Sequence, residues 1–192
     1  MRGDGDGWVI DPDGSRYWGI HGAAGLLLRA PLPDGSTGVL LQHRAAWTNH
    51  GDTWGIPGGA RDFTETPIQA ALRETHEECA IAPRDVEVLD ARVTAGPYPA
   101  AGDLPGEWTY TTVLARTRTG VPLPTTANEE SYELRWVPFD EVETLPLLAA
   151  FRRSFPTHRG GCESFHECVL STFYVADTVP SPGDAELFYS YL

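Results

Sequence analysis

The segment from Gly58 to Ile81, GGARDFTETPIQAALRETHEECAI, constrains the fold most, because it encodes a helix together with its starting point. Thr66 is a suitable N-cap residue, Pro67 suits the first helical position, and Gln69 completes a capping box. Mostly apolar residues then recur at helical spacing and form one stripe: Ile68, Ala71, Leu72, Thr75 and Cys79. The segment therefore predicts an amphipathic helix that packs this stripe on a core.

Three glutamates, Glu74, Glu77 and Glu78, lie within five positions on the other side of this helix. Residues three and four apart share a helical face, so the carboxylates converge and repel one another. A divalent cation such as Mg²⁺ would relieve the repulsion, since hard cations prefer oxygen ligands. Gly59 would let a backbone carbonyl approach the ion. The spacing alone leaves two interpretations open, a preformed metal site and a solvated acidic face.

Apolar and alternating runs of strand length flank this helix on both sides. The runs at 19–30 and 38–45 are joined by the turn-forming sequence PLPDGST, which predicts a hairpin. Further strands are predicted at 52–59, 84–94, 107–118 and 132–139, followed by short helices at 139–145 and 147–155. This mixture of strands and helices predicts an α/β sandwich rather than a bundle or a barrel.

Charge and composition limit the partners of the chain. Its 192 residues suit one domain, and 27 Asp and Glu against 14 Lys and Arg give a net charge of −13. Such an excess argues against a nucleic-acid polymer or an anionic membrane as partner, but a small phosphorylated ligand can be bound through a metal ion. The start of the sequence has no apolar core of signal-peptide length, and the three cysteines lack metal-site spacing. We expect a cytoplasmic protein.

The glutamate-rich segment resembles the Nudix box, whose consensus is G-x5-E-x7-R-E-U-x-E-E-x-G-U, where U is a bulky apolar residue. The matching residues are Gly59, Glu65, Arg73, Glu74, Glu77, Glu78 and Ile81. Thr75 and Ala80 depart from the consensus, at an apolar position and at the late glycine, and both positions concern the helix and its end rather than catalysis. The resemblance covers roughly 17–156 and implies a Nudix α/β/α sandwich with a mixed β-sheet between helices.

The resemblance divides the chain into three parts. Residues 1–16 are expected to be a flexible N-terminal segment, and 17–157 the Nudix hydrolase domain. Residues 158–192 are a C-terminal extension of unassigned role, expected to pack on the same domain. Its aromatic residues suit either a cover over the site or a contact in a homodimer.

Nudix enzymes hydrolyse a nucleoside diphosphate linked to another moiety, using Mg²⁺ or Mn²⁺. The resemblance implies that Glu77 and Glu78 are metal ligands, that Glu74 is a ligand or the base, and that the Gly59 carbonyl joins them. It also implies an ion pair between Arg73 and Glu65 that holds the helix and the preceding loop. A further ligand or base from outside the box is expected at Glu130, with its neighbour Glu129 as the alternative.

The remainder of the substrate needs contacts of its own, and the expected partner is a small phosphorylated molecule, most naturally a nucleotide. Arg44 could meet a phosphate, because guanidinium groups bind phosphate oxygens with two parallel hydrogen bonds. Aromatic rings can stack a base, although each ring could equally serve packing. The aromatic candidates are Trp54, Trp108, Tyr110 and Trp136.

Two other functions are weighed against hydrolysis of a nucleoside triphosphate, ADP-ribose or a nucleotide sugar. The first is a non-catalytic Nudix domain that senses a nucleotide or ADP-ribose. Such domains usually lose box glutamates, whereas Glu74, Glu77 and Glu78 are all present. The second is the isomerisation of isopentenyl diphosphate, which needs a cysteine in an upstream strand, and none of the three cysteines lies there. The sequence therefore favours a hydrolase.

Overall fold

The computed structural model describes residues 3–99 and 107–155. Its strands, in chain order, are β1 Trp8–Ile10, β2 Arg16–Trp18, β3 Ala23–Pro31, β4 Thr37–Arg44, β5 Trp54–Gly55, β6 Gly58–Ala60, β7 Val86–Tyr98, β8 Trp108–Thr117 and β9 Ser131–Pro138. The helices are α1 Pro67–Cys79 and α2 Ala149–Ser154, with 3₁₀ helices at Pro83–Asp85 and Phe139–Thr144. Within the described residues, seven strands form one sheet in the order β5-β4-β3-β8-β7, with β6 paired to β3 and β9 to β4.

The sheet is mixed, as the sequence predicts. β3 and β8 run parallel, whereas β3 and β4 form the predicted antiparallel hairpin. Leu26 and Leu28 face the cluster packed against α1, and Leu27 between them is also almost fully buried. Because both faces of β3 are covered, its sequence is a continuous apolar run rather than an alternating one. The predicted α/β class with a mixed sheet is confirmed.

Helix α1 begins where the sequence predicts. The Gln69 N–H donates to the Thr66 hydroxyl at 3.3 Å, and the Thr66 N–H donates to Gln69 Oε1 at 2.8 Å, which completes the capping box. The helix ends at Ala80, which adopts a left-handed conformation with φ of 59°. This chain therefore keeps the turn for which the family uses glycine, although a Cβ in this conformation is unfavourable.

Thr75 shows how the other departure from the box is accommodated. The side chain is buried, with 1% of its surface exposed, and its hydroxyl donates to the Ala71 carbonyl at 2.7 Å. The methyl group is thus available for packing while the hydroxyl stays within its own helix.

The N-terminal segment, for which flexibility is predicted over 1–16, contributes to a short hairpin. β1 and β2 pair antiparallel, with Trp8 opposite Trp18 and their rings edge-on at 5.1 Å. The turn between them closes with the Asp13 N–H donating to Asp11 Oδ1 at 2.8 Å. Cross-strand aromatic pairs and an Asp-based turn stabilise short hairpins.

The elements after β9 follow the sequence closely. The predicted helix at 139–145 is a 3₁₀ helix, and α2 brings Phe151 against Phe155 at 5.2 Å. The C-terminal extension predicted for 158–192 lies outside the described residues. Within the part of the chain that is described, no helix is long and apolar enough to cross a membrane.

Candidate active site

Strand β6 lies beside the carboxylates of α1. It pairs with the start of β3, with Gly59 opposite Ala24. The Gly58 N–H donates to Glu78 Oε2 at 2.9 Å, and a Cβ added at Gly59 would lie 2.7 Å from the Glu74 carboxyl carbon. The absence of a side chain at Gly59 therefore gives room to a carboxylate.

Arg73 joins the loop before α1 to the helix itself. Its Nε donates to Glu65 Oε1 at 2.7 Å and its Nη2 to Glu65 Oε2 at 2.9 Å, a two-pronged ion pair. The same guanidinium donates to Glu74 Oε1 at 2.7 Å and to the Ala60 carbonyl at 2.9 Å. The hydrogen bond from Arg73 lowers the pKa of Glu65. The structure thus brings together the two residues expected to pair, and adds two further acceptors.

Glu78 and Glu74 are carboxylates in an unfavourable environment. Glu78 is 4% exposed, and burial together with the charge of Glu74 raises its pKa to about 8. Burial likewise raises the pKa of Glu74 to about 6, although Arg73 acts in the opposite direction. Burial disfavours the charged form of an acid, so both groups bind protons more readily than ordinary glutamates.

A buried chain of polar groups, which the sequence analysis missed, runs from Glu78 towards the loop before β9. Gln42 is fully buried, and its Nε2 lies 3.3 Å from Glu78 Oε1 and 2.7 Å from the Ser131 hydroxyl. Asn128 Oδ1 accepts from the Ser131 hydroxyl at 3.4 Å and from the Glu130 N–H at 3.0 Å. A glutamine inside the apolar run VLLQHR was the available signal, since a buried amide needs partners.

Glu77 and Glu130 lie at the exposed side of the site. The Glu77 side chain is 58% exposed and lies 3.5 Å from Arg73 Nη1. Glu130 is exposed and is among the charged groups that act on Glu74, although burial is the main cause of the raised Glu74 pKa. Within the described residues the Glu130 carboxylate makes no hydrogen bond or ion pair.

Metal binding by the box glutamates stays a prediction, and the carboxylates are not arranged around an empty site. Among the described residues, no three Asp, Glu, His or Cys side chains lie close enough together to hold a metal ion as they stand. The reason is that Glu74 binds Arg73 and Glu78 binds the Gly58 N–H, so each carboxylate has found a donor within the protein. The groups nevertheless suit a hard divalent cation, because they are oxygen donors crowded at one place and short of positive charge.

Arg44 and Tyr110 lie next to this site. The Arg44 guanidinium donates through Nε and Nη2 to the Asn49 carbonyl, at 3.3 and 3.1 Å, and its charge acts on Glu78. The Tyr110 hydroxyl lies directly over Gly25, where a Cβ would collide with it. Burial, and then the charge of Glu78, raises the pKa of Tyr110.

The three tryptophans predicted to contact substrate each have partners within the protein, and their contact with substrate stays a prediction. Trp54 is 5% exposed, with the His43 ring stacked on it at 4.9 Å and the Arg135 guanidinium 4.8 Å from its centre. The indole N–H of Trp108 donates to the Trp18 carbonyl at 3.1 Å, and that of Trp136 donates to the Leu123 carbonyl at 3.0 Å. A base could stack on Trp54 only if the His43 ring or the Arg135 guanidinium left the face of the indole.

Two exposed aromatic rings that the sequence analysis did not select could contact a ligand. Tyr132, directly after Ser131, is 56% exposed and meets His43 edge-on at 5.5 Å. Phe63, in the loop before α1, is 69% exposed. Both rings are free to meet a ligand, and neither stands in a sequence pattern that distinguishes it from a packing residue.

Comparison with known proteins identifies close relatives of this chain. The family profile described as NUDIX domain matches residues 21–158. The chain is 54% identical over 155 residues to "Putative 8-oxo-dGTP diphosphatase 3" of Mycobacterium tuberculosis, covering 81% of this chain and 69% of that protein. It is 45% identical over 156 residues to "Nucleoside triphosphate pyrophosphatase/Nudix hydrolase fusion protein" of Bifidobacterium longum, covering 79% of this chain and 30% of that protein.

A solved structure supports the same relationship. The crystal structure of the Nudix hydrolase RenU from M. smegmatis superposes with a TM-score of 0.73 at 51% identity. The match covers 79% of this chain and 91% of that one.

Proposed function

This chain belongs to the NUDIX family of hydrolases, and on that premise we propose that it cleaves the pyrophosphate linkage of a nucleoside triphosphate with bound Mg²⁺ or Mn²⁺. Water would attack one phosphorus, and the products would be a nucleoside monophosphate and pyrophosphate. The names of two relatives, a putative diphosphatase for 8-oxo-dGTP and a nucleoside triphosphate pyrophosphatase fusion, support triphosphates as the first choice. ADP-ribose and nucleotide sugars contain the same linkage and follow as second choices.

The observation that carries the proposal is the pair of carboxylates at Glu78, which is buried, and Glu74, which is half-buried. Their raised pKa values mean that the fold holds two acidic groups where their charged forms are disfavoured. Glu74, Glu77 and Glu78, with the Gly59 carbonyl, would hold the metal ion. When bound, such an ion supplies charge neutralisation for the phosphates and lowers the pKa of a coordinated water.

The remaining roles fall to residues whose present contacts leave them available. Glu130 would accept the proton of the attacking water, because its carboxylate is exposed, close to Glu74 and unpaired among the described residues. Arg44 would bind a phosphate oxygen, since Nε and Nη2 share the Asn49 carbonyl and Nη1 donates no hydrogen bond to any of the described residues. Arg73 would position the helix through Glu65 rather than touch the substrate.

A substrate panel with and without Mg²⁺ tests the proposal. The panel contains dGTP, 8-oxo-dGTP, ATP, ADP-ribose and a nucleotide sugar, with the products separated by chromatography. We expect a triphosphate to give monophosphate and pyrophosphate only when Mg²⁺ is present, and Glu78→Gln to lose at least a hundredfold in kcat. Glu143→Gln, an exposed acid of the 3₁₀ helix Phe139–Thr144, removes the same charge and should act as the wild type does.

Two results would contradict the proposal. Cleavage of no panel member by the wild type would remove the catalytic assignment, and equal rates for Glu78→Gln would remove the carboxylate from the chemistry. Saturable binding of a nucleotide without turnover would instead favour the sensing alternative, although the presence of all three box glutamates argues against it.

A further inference from the structure

The glycine-rich sequence GDGDG at 3–7 makes contacts that the proposed hydrolysis does not use. The Gly5 carbonyl accepts the Ile20 N–H at 2.9 Å, which ties segment 3–7 to the chain just before β3. The same segment also meets loop 61–65, which lies between β6 and α1. Segment 3–7 therefore connects the start of the chain to the loop that precedes the glutamate-rich helix.

Segment 3–7 and loop 61–65 exchange hydrogen bonds in both directions. The Gly5 N–H donates to Asp62 Oδ1 at 2.9 Å, and the Phe63 N–H donates to Asp4 Oδ1 at 2.8 Å. Hydrogen bonds to a charged acceptor are stronger than those between neutral groups. Each partner contributes one carboxylate and one N–H, so the two bonds together fix the position of one segment against the other.

The glycines of segment 3–7 permit this close approach. A Cβ added at Gly5 would lie 2.1 Å from the Arg61 carbonyl oxygen, and one added at Gly3 would lie 2.1 Å from Asp62 Oδ1. Neither glycine has a left-handed φ, so the lack of space and not the backbone conformation requires the missing side chain. The sequence of the segment is thus matched to the loop.

Asp62 connects this contact to the candidate active site. Its own N–H donates to Glu65 Oε2 at 3.1 Å, and the same oxygen accepts from Arg73 Nη2 at 2.9 Å. Arg73 in turn donates to Glu74 Oε1 at 2.7 Å. A continuous series of hydrogen bonds therefore runs from Gly5 to Glu74.

Arg61 attaches the loop to the domain independently of segment 3–7. Its Nε and Nη2 donate to the His21 carbonyl, and its Nη1 donates to the Glu65 carbonyl at 3.0 Å. Loss of the contact with segment 3–7 should therefore shift Glu65 without detaching the loop.

We propose that segment 3–7 positions Glu65 and Arg73, with Asp62 as the positioning residue between them. Asp62 acts through Glu65 and Arg73 and not on the substrate. The consequence for catalysis rests on the proposed hydrolysis, in which Glu74 is a metal ligand. A misplacement of about 1 Å in an active site can cost about a hundredfold in rate, so a smaller shift of the Arg73 contacts should cost about tenfold.

Hydrogen exchange measured by NMR, without substrate or metal, tests the positioning directly. The reporter is the Arg73 Nε–H, which donates to Glu65 Oε1 at 2.7 Å. In Asp62→Ala it should exchange about threefold faster or more. Asp62→Asn keeps an oxygen for the Gly5 N–H and should restore the wild-type rate. Asp6→Ala is the control, because this exposed carboxylate has no hydrogen bond or ion pair among the described residues.

Steady-state hydrolysis measures the consequence for the reaction. Asp62→Ala should lower kcat about tenfold with KM within about twofold of the wild type, while Asp62→Asn and Asp6→Ala keep the wild-type kcat. Asp4→Ala removes the other acceptor but leaves an exposed N–H that water can bind, so it should lower kcat about threefold. Asp62→Ala combined with Glu65→Gln should be no slower than Glu65→Gln alone, because both changes act through one carboxylate.

Unchanged exchange of the Arg73 Nε–H in Asp62→Ala, or an equal increase in Asp6→Ala, would overturn the proposal. An active wild type whose kcat is unaffected by Asp62→Ala would overturn it as well. The exchange measurement needs no turnover, so it separates this proposal from the proposed function. If the wild type cleaves no substrate, the hydrolysis fails, whereas faster Arg73 exchange in Asp62→Ala alone would still support the positioning.

Discussion

Replacing Glu78 with Gln should stabilise the metal-free protein relative to the wild type, and Mg²⁺ should remove most of this advantage. The Glu78 carboxyl is 4% exposed and accepts the Gly58 N–H, and burial raises its pKa from 4.5 to about 8. A carboxyl group with a raised folded-state pKa contributes stability that is fully present below pH 4.5 and is lost as the pH rises through about 8. At neutral pH the fold must therefore keep a proton on Glu78 that the unfolded chain has released.

The size of the effect follows from the same values. Each pH unit above the unfolded pKa of 4.5 costs about 1.4 kcal/mol until the folded pKa is reached, which gives roughly 3 kcal/mol at pH 7. Glutamine does not titrate, and its carbonyl can still accept the Gly58 N–H. We therefore expect Glu78→Gln to raise the free energy of unfolding at pH 7 by up to about 3 kcal/mol without metal. Mg²⁺ at a hundredfold excess over its dissociation constant adds about 2.7 kcal/mol to the wild type, and little to a variant that lacks the ligand.

Urea denaturation at pH 5 and pH 8, with EDTA or with Mg²⁺, measures the advantage of the variant and its loss in Mg²⁺. The advantage of Glu78→Gln in EDTA should grow between pH 5 and pH 8, because only the wild type carries the titrating Glu78 carboxyl, whereas Glu74 titrates in both proteins. Glu143→Gln serves as the control, since it removes an exposed acid that no described contact ties to the site. If Glu78→Gln is less stable than the wild type in EDTA at pH 8, the buried carboxylate stabilises the fold itself and the reasoning is refuted.

Three further substitutions probe the surroundings of the site. Gln42→Leu should lower kcat by about tenfold to a hundredfold with little change in KM, because it breaks the polar chain from Glu78 to Ser131. An unchanged kcat in steady-state assays would contradict this. Gly59→Ala should abolish Mg²⁺-dependent hydrolysis at a stability cost below about 1 kcal/mol, because the new Cβ would displace the flexible end of Glu74. Gly55→Ala, whose Cβ would lie 3.8 Å from its nearest neighbouring atom, is the control for the hydrolysis assay and for urea denaturation. Ala80→Gly should raise the free energy of unfolding by about 1 kcal/mol in urea titrations, because it relieves a left-handed alanine, and a loss of stability would contradict this.

The helix start, the hairpin and the ion pair could be predicted because the residues that indicate each of them lie close together in the sequence. The capping box at Thr66, the hairpin of β3 and β4 and the pairing of Arg73 with Glu65 each follow from short-range pattern or from the Nudix consensus. The bridge from Gln42 to Ser131 joins residues 89 positions apart, so only the register of β4 with β9 creates it. The partners of Trp54 were hidden for the same reason, since strand pairing brings His43 and Arg135 to its ring.

Arg73 explains how the fold tolerates its acidic cluster before a metal ion arrives. Its guanidinium lies 2.7 Å from both Glu65 and Glu74 and 3.5 Å from Glu77, so it is an internal cation among three carboxylates. A metal ion that bound Glu74 as proposed would therefore compete with Arg73 for that carboxylate. The ion pair with Glu65 has two hydrogen bonds, whereas the contact with Glu74 has one, so the contact with Glu74 is the easier to give up. Arg73 can thus release the Glu74 carboxylate while its two hydrogen bonds to Glu65 still hold the helix to the preceding loop. A lysine could do this less well, because its ammonium group is a point charge and lacks the parallel N–H donors of a guanidinium.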